Sequence, residues 1–586
     1  MTKMLARVAL ALALVCGMAR AEAPKTVEVL KLTPDNAQVA LAVPPLDAAL
    51  QQTAELVKKF HPNPAEVDAF LNEIIADAAE GAEAWGAQNF KEIAAKRGLN
   101  GEAAIGVFCD VSKTVKKATE EYAKNKAAAE KEAADKAKAA DVEAAKAAAA
   151  AGTAAPAPSK PAPVKVKSPE MTIPDLAAVF TVSDKELAQR GIDELINAVP
   201  DLSSATPKDE TVGSVTVKVY DDYGYFFAGD KVVLGSIGLV KGAAAKVDKP
   251  GAVRYGSKEC PAGAESEVVE LIYGKRLLPL VGELLPTLDI AEDVRPQIEA
   301  GVKQFSASFD SDDPMVLSLG VHQTGAVLQS RIDAAQNKGI KATSGEAAPL
   351  RLAQWLPENT LAMVSLRFNP EWKKQIVESI LPAVAEARGG DTSQITIAKQ
   401  VIDQLGDEIT IGVAAADQDF PSAFAMVSLA KPEETKGLLQ MLVPAMPGEK
   451  HGDVDIQQLA VPSPIQFSIA YPGDMILLSN SVDGMKKIID LQKSKGTTKF
   501  LASQNPPFDP ATPRFAALLV NAKLLTDVLL PLSTLGVKLP GDAQEIATKV
   551  APLLNDVRLV SEVDGTWHKT ALSVNLQADT KSASAK

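Results

Sequence analysis

The chain reads as one long unit written twice, and that constrains its fold more than any single motif does. One segment opens Leu32-Thr33-Pro34-Asp35-Asn36-Ala37-Gln38-Val39-Ala40 and another opens Leu356-Pro357-Glu358-Asn359-Thr360-Leu361-Ala362-Met363-Val364. Each is a turn that feeds an apolar strand. An amphipathic helical pattern follows in both, marked by Leu46, Ala49, Leu50, Val57 and Phe60 in the first and by Trp372, Ile376, Ile380 and Ala383 in the second. Leu99-Asn100-Gly101-Glu102 running to Ile105-Gly106-Val107 then matches Leu405-Gly406-Asp407-Glu408 running to Ile411-Gly412-Val413. Strands Leu176 to Val182 and Ala423 to Leu429 come next, each leading into a helix. Ser183 with Glu186 reads as the capping box of the first, and Pro432 as an N-terminal helical proline in the second.

Both halves continue with a hairpin whose turn carries Gly-Asp, at Gly229-Asp230 and at Gly473-Asp474, where glycine supplies a positive φ without steric cost. A second module follows: Glu267 to Tyr273 matches Arg514 to Val520, a helix follows each, and an alternating hairpin closes each half. Runs of strands between helices, without a Gly-rich phosphate turn, predict an α+β fold: a tandem duplication of a two-module unit, with antiparallel sheets covered by helices. The expected units are residues 28–343 and 350–580.

The halves differ at one hairpin turn. Where the second has the short Ala416-Asp417-Gln418-Asp419, the first holds residues 112–169. Lys113 to Ala151 is built from Ala, Lys and Glu with no Gly or Pro, which predicts a long helix spanning about 60 Å. Gly152 stops it, and Ala154 to Pro163 reads as an extended Pro/Ala linker. Its a/d positions are mostly alanine, a thin seam for a coiled coil.

The N-terminus predicts export. Lys3 and Arg7 precede an apolar run from Val8 to Val15, and Met18-Ala19-Arg20-Ala21 offers a cleavage site after Ala21, with Ala23 as the alternative; residues 1–21 are the expected signal peptide. No later stretch is long and apolar enough to span a bilayer, so the expected location is periplasmic or secreted. The net charge of −13 becomes −16 once Lys3, Arg7 and Arg20 leave with the signal. An acidic chain without a basic block does not predict a nucleic-acid partner. Cys109 and Cys260 are the two cysteines beyond the signal; they either form one disulfide or remain buried thiols.

Little catalytic material is visible. His61, His322, His451 and His568 are scattered, and there is no HExxH, paired CxxC, EF-hand loop, phosphate loop or dinucleotide fingerprint. No cofactor, metal site or catalytic residue is expected. Asp310, Asp312 and Asp313 read as a solvated acidic turn. Gly235-Ser236-Ile237-Gly238 resembles a nucleophile elbow but lacks the glycine two residues before the serine. One aromatic cluster stands out around a hairpin, and Tyr220, Tyr223 and Tyr225 are its candidate partner-binding residues, against the plainer reading that they pack on their own sheet.

Leu356-Pro357-Glu358-Asn359-Thr360, Leu405-Gly406-Asp407, Tyr471-Pro472-Gly473-Asp474 and Ser479-Asn480-Ser481 together resemble a group of secreted bacterial proteins that carry an uncharacterised domain of unknown function. The resemblance covers the first module of the second half best and brings no catalytic residues. The leading expectation is an exported, non-enzymatic binding or scaffold protein whose partner is another envelope or extracellular protein. The alternatives are a carrier of an apolar ligand held between sheet and helices, and a hydrolase with a dispersed acidic site.

Overall fold

A computed structural model describes residues 26–45, 90–150, 166–169, 172–198, 206–249, 268–288, 294–306, 314–322, 325–333, 346–369, 392–415, 421–442, 445–460, 466–504, 507–522, 554–565 and 567–576, with isolated positions between them. The signal region, the linker from Ala154 to Pro163, Cys260 and the acidic turn at Asp310 lie outside the described residues.

The described residues form an α+β structure with eleven helices and one twenty-stranded antiparallel sheet. The first ten strands are β1 (Val39–Val43), β2 (Ile105–Asp110), β3 (Asp175–Thr181), β4 (Lys208–Val212), β5 (Val215–Tyr220), β6 (Tyr223–Ala228), β7 (Lys231–Ser236), β8 (Val268–Ile272), β9 (Met315–His322) and β10 (Gly325–Asp333). The second ten are β11 (Thr360–Arg367), β12 (Leu405–Ala414), β13 (Ser422–Leu429), β14 (Ala445–His451), β15 (Val454–Leu459), β16 (Ser468–Ala470), β17 (Met475–Ser479), β18 (Arg514–Asn521), β19 (Leu554–Asp564) and β20 (Trp567–Leu576). Across the sheet the first set runs β4-β5-β6-β7-β3-β2-β1-β8-β9-β10. The second runs β14-β15-β16-β17-β13-β12-β11-β18-β19-β20, the same order with each label raised by ten. β10 pairs antiparallel with β20 and joins the two sets, with Leu328 opposite Leu572.

The helices are α1 (Thr26–Leu30), α2 (Phe90–Lys96), α3 (Ser112–Ala150), α4 (Lys185–Ala198), α5 (Ile237–Ala244), α6 (Gly274–Leu284), α7 (Arg295–Ser306), α8 (Thr392–Gln404), α9 (Pro432–Leu442), α10 (Val482–Lys493) and α11 (Lys499–Ala502). One face of the sheet, the front, carries two large cores. In the first, Val29 and Leu30 of α1 and Leu239, Val240 and Ala243 of α5 pack on Ala40, Phe108, Val179 and Val233. In the second, Met485, Ile488 and Ile489 of α10 and Phe500 and Leu501 of α11 pack on Met363, Phe424, Met426 and Leu477. Alternation along each strand sends the remaining residues to the back face, where α4 and α9 cover smaller clusters.

Helix α3 is 39 residues long, in keeping with its Ala/Lys/Glu composition. Its base is anchored: Val115 and Ala118 are buried, and Lys113 pairs with Asp175 at 2.7 Å. Farther along, Asn125 donates to the Lys167 carbonyl, holding the returning chain against the helix. The hairpin glycines Gly229 and Gly473 have φ of +57° and +59°. The cap of α4 differs from expectation. Asp184, not Ser183, accepts the Leu187 N–H at 3.0 Å, because the Ser183 and Asp184 N–H groups both donate to the Gly98 carbonyl and so place Asp184 at the helix mouth. Among the described residues no helix is long and apolar enough to cross a membrane.

Candidate apolar groove and tyrosine cluster

The three tyrosines sit on the back face, where Tyr220 and Tyr225 belong to the smaller cluster beneath α4. Tyr220 and Tyr225 are buried, at 7% and 2% exposure, and only Tyr223, at 50%, faces solvent. The rings of Tyr220 and Tyr225 stack at 6.3 Å, and Phe227 meets Tyr225 edge-on at 5.9 Å. Tyr225 donates its hydroxyl proton to Asp193 of α4 at 3.0 Å, and Gln189 donates to both groups. Burial, then the carboxylate of Asp193, push the Tyr225 hydroxyl well above its ordinary pKa, so it remains a neutral donor. Two of the three candidate partner-binding tyrosines therefore pin α4 to the sheet from inside. Tyr220 and Tyr225 lie diagonally across β5 and β6, and the helix delivers the polar partners of the Tyr225 hydroxyl.

Next to this cluster lies an apolar groove, which the aromatic pattern did not reveal. Its larger recess, about 300 Å³, runs under α4 and is lined by Leu99, Phe180, Ala188, Ile192, Leu195 and Leu234. A second recess of about 160 Å³ shares Leu99 and Phe180 and continues to Ile93, Ala94 and Ile105. The outer mouth is polar. Lys96, Arg97 and Arg190 line it with one acid, Glu194, around a space of about 200 Å³. Arg97 reaches across from the end of α2 and donates to the Gly191 carbonyl at 3.3 Å and to Glu194 at 2.6 Å. Gly98 allows this arrangement. Its φ is +68°, and a Cβ there would lie 2.3 Å from the Asp184 carbonyl oxygen. With no side chain at residue 98 to bridge the helices, the long arm of Arg97 props them apart. In the sequence these residues are scattered apolar positions on α2, β2, β3, α4 and β7 and at Leu99.

Other chemistry-bearing groups are accounted for by packing. The Ser236 hydroxyl accepts the Leu176 N–H at 3.2 Å within the sheet, so it makes no side-chain cap for α5. Its counterpart Ser481 does cap α10, accepting the Gly484 N–H at 3.1 Å. Cys109 is a free thiol that burial pushes up to about 11. His451 pairs with Asp490 at 2.8 Å, and the buried His568 meets Phe515 edge-on. Glu270 and Glu408 are the carboxyls raised by burial among the described residues. They stand on β8 and β12, seven strands apart, and share no cleft. Among the described residues no three His, Cys, Asp or Glu side chains gather as a metal site.

No family model matches the chain, and no curated protein matches it. Among solved structures, crystal form IV of TP0453 aligns with a TM-score of 0.20 and 11% identity over 38% of this chain and 79% of that chain. Crystal form I of TP0453 aligns at 0.19 and 10%, over 41% and 84%. A likeness this shallow carries no argument about fold or function.

Proposed function

We propose that the chain is an exported, non-enzymatic binding protein, a tandem duplication of a ten-strand unit, whose first unit holds a single-chain anionic amphiphile. The identical pairing order of β1–β10 and β11–β20 supports the duplication. The N-terminal charge and apolar pattern supports export to the periplasm or beyond, where an envelope protein is the expected donor or acceptor of the ligand. The observation that carries the ligand assignment is the groove: an apolar recess of about 300 Å³ whose mouth gathers three cations and one acid. That volume is at the small end of the range for ligand pockets. An apolar tail would displace water from Leu99, Phe180 and Ile192, while a carboxylate or phosphate head would compete with Glu194 for Arg97.

Calorimetric titration with dodecanoate and with dodecanol tests this reading. Saturable dodecanoate binding is expected, weaker for the uncharged alcohol and abolished in Leu195→Trp, which fills the groove from an exposed position. Absence of saturable binding to the unaltered protein would refute it. Among the described residues the two carboxyls with raised pKa lie on distant strands, so they do not favour the hydrolase alternative.

A further inference from the structure

The two faces of the central strands are chemically opposite. On the front, β10 carries Arg331, which donates to Gln329, and β19 and β20 carry Asp556, Arg558, Glu562 and Lys569 in the ion pairs Arg558–Asp556 at 2.7 Å and Lys569–Glu562 at 3.2 Å. On the back, a ladder of residues directly opposite one another crosses seven strands: Leu319 meets Leu328, Leu328 meets Leu572, Leu572 meets Leu559, Leu559 meets Leu518, Leu518 meets Val364, and Val364 meets Ile411. No residue in this ladder, or two positions to either side of it on the same strands, is charged. Leu328, Leu572, Leu559 and Ile411 are exposed at 44%, 37%, 38% and 47%. In the flanking row Thr570 donates its hydroxyl proton to Ser561 at 3.2 Å.

We propose that this back face is a homodimer interface, in which the central strands of two copies stack face to face. The partner is a second copy for two reasons. The chain is strongly acidic, and here one copy can approach another without like charges meeting. The size also fits: seven strands about 4.8 Å apart and three rows of side chains span about 30 by 20 Å, so two copies would bury about 1,200 Å², the lower end of a stable interface. Stacked sheets pack about 10 Å apart, which lets the two leucine ladders interdigitate. The middle of the ladder is Leu559 on β19, and the Leu328–Leu572 pair beside it is where the two ten-strand sets meet.

Sedimentation velocity on the mature chain, over a concentration series, tests the interface. A reversible dimer is expected for the unaltered protein. Leu559→Lys and Leu572→Lys each place a charge in the middle of the ladder and should weaken dimerisation roughly a hundredfold. Ser561→Lys, at a partly exposed polar position on the same face, does the same without touching the ladder and serves if the leucine variants fail to fold. A monomer at all concentrations overturns the proposal, as does a folded Ser561→Lys protein that dimerises normally. So does monomeric binding to neutral phosphatidylcholine vesicles through this face, which would make the occupant a lipid surface.

Discussion

The two halves meet the same task, seating a pair of helices on the back of the sheet, with different side chains. In the first, the Gly98 carbonyl accepts the N–H groups that open α4; in the second, the Gln404 carbonyl accepts the Ala430 N–H just before α9. The backbone role is shared, but Gln404 has an amide where Gly98 has only hydrogen. That amide lies 3.0 Å from the Thr435 hydroxyl and donates to Glu434 at 3.2 Å, drawing α8 and α9 together. Below them Leu429, Ile469 and Ile476 form a buried cluster with Leu405, Leu439 and Leu478. In the first half the bridge is Arg97, and its length leaves the groove. A neighbouring pair shows the same divergence. Glu102 is 68% exposed and pairs with Lys91 on the surface. Glu408, matched to it by sequence, is fully buried and accepts the Leu352 and Arg351 N–H groups at 2.8 and 3.0 Å. A repeated backbone pattern therefore fixes where helices land, while one or two side chains decide whether the seam is sealed or open.

The largest expected effect separates the two seams directly. Ile476→Ala in the sealed cluster should cost about 3 kcal/mol, whereas Ile192→Ala on the groove wall should cost about 1 kcal/mol, because one side of that residue already lacks packing partners. Urea denaturation of both variants measures this, and equal losses would mean that the groove is filled.

The matched glutamates give the next test. Burial, opposed by the two backbone donors and then by Arg367 and Arg351, lifts Glu408 from an ordinary 4.5 to about 7. The folded chain then holds this proton more tightly than the unfolded chain does. Its contribution to stability is present below pH about 4.5 and is lost as the pH rises to about 7, roughly 3 kcal/mol over that window. Glu408→Gln should flatten this part of the stability-against-pH curve, and Glu102→Gln should leave it unchanged. A slope that persists in Glu408→Gln would assign the effect to another group.

Smaller effects belong to the bridges. Thr435→Val keeps the volume but leaves the Gln404 amide oxygen without its hydroxyl partner, for about 1–2 kcal/mol in thermal or chemical unfolding. Arg97→Gln should change stability by less than about 1 kcal/mol, since its acid partner is exposed. Its effect should instead appear as weaker dodecanoate binding; unchanged binding would remove Arg97 from the mouth of the site.

Much of the local structure was legible because its causes are local. The Gly-Asp turns announce the hairpins at Gly229 and Gly473, and an unbroken Ala/Lys/Glu run specifies α3 with no help from the rest of the chain. The capping residue of α4 was misread by one position, because the Gly98 carbonyl, almost ninety residues away, claims the N–H of Ser183. Tyr220, Tyr223 and Tyr225 were visible as a group, but their division into two buried residues and one exposed residue was not, since it depends on where α4 brings Asp193 and Gln189.

What the sequence determined by itself is the set of elements and the mixed α+β class, because periodicity, turn residues and helix propensity act over a few neighbouring residues. Only the tertiary structure decided that β10 and β20 join the two strand sets edge to edge, that Leu99, Phe180, Ile192 and Leu234 face one groove, and that the uncharged positions of seven strands fall on one line. Those features depend on strand register and on contacts between residues far apart in the chain, where a shift of one residue would send every side chain to the opposite face.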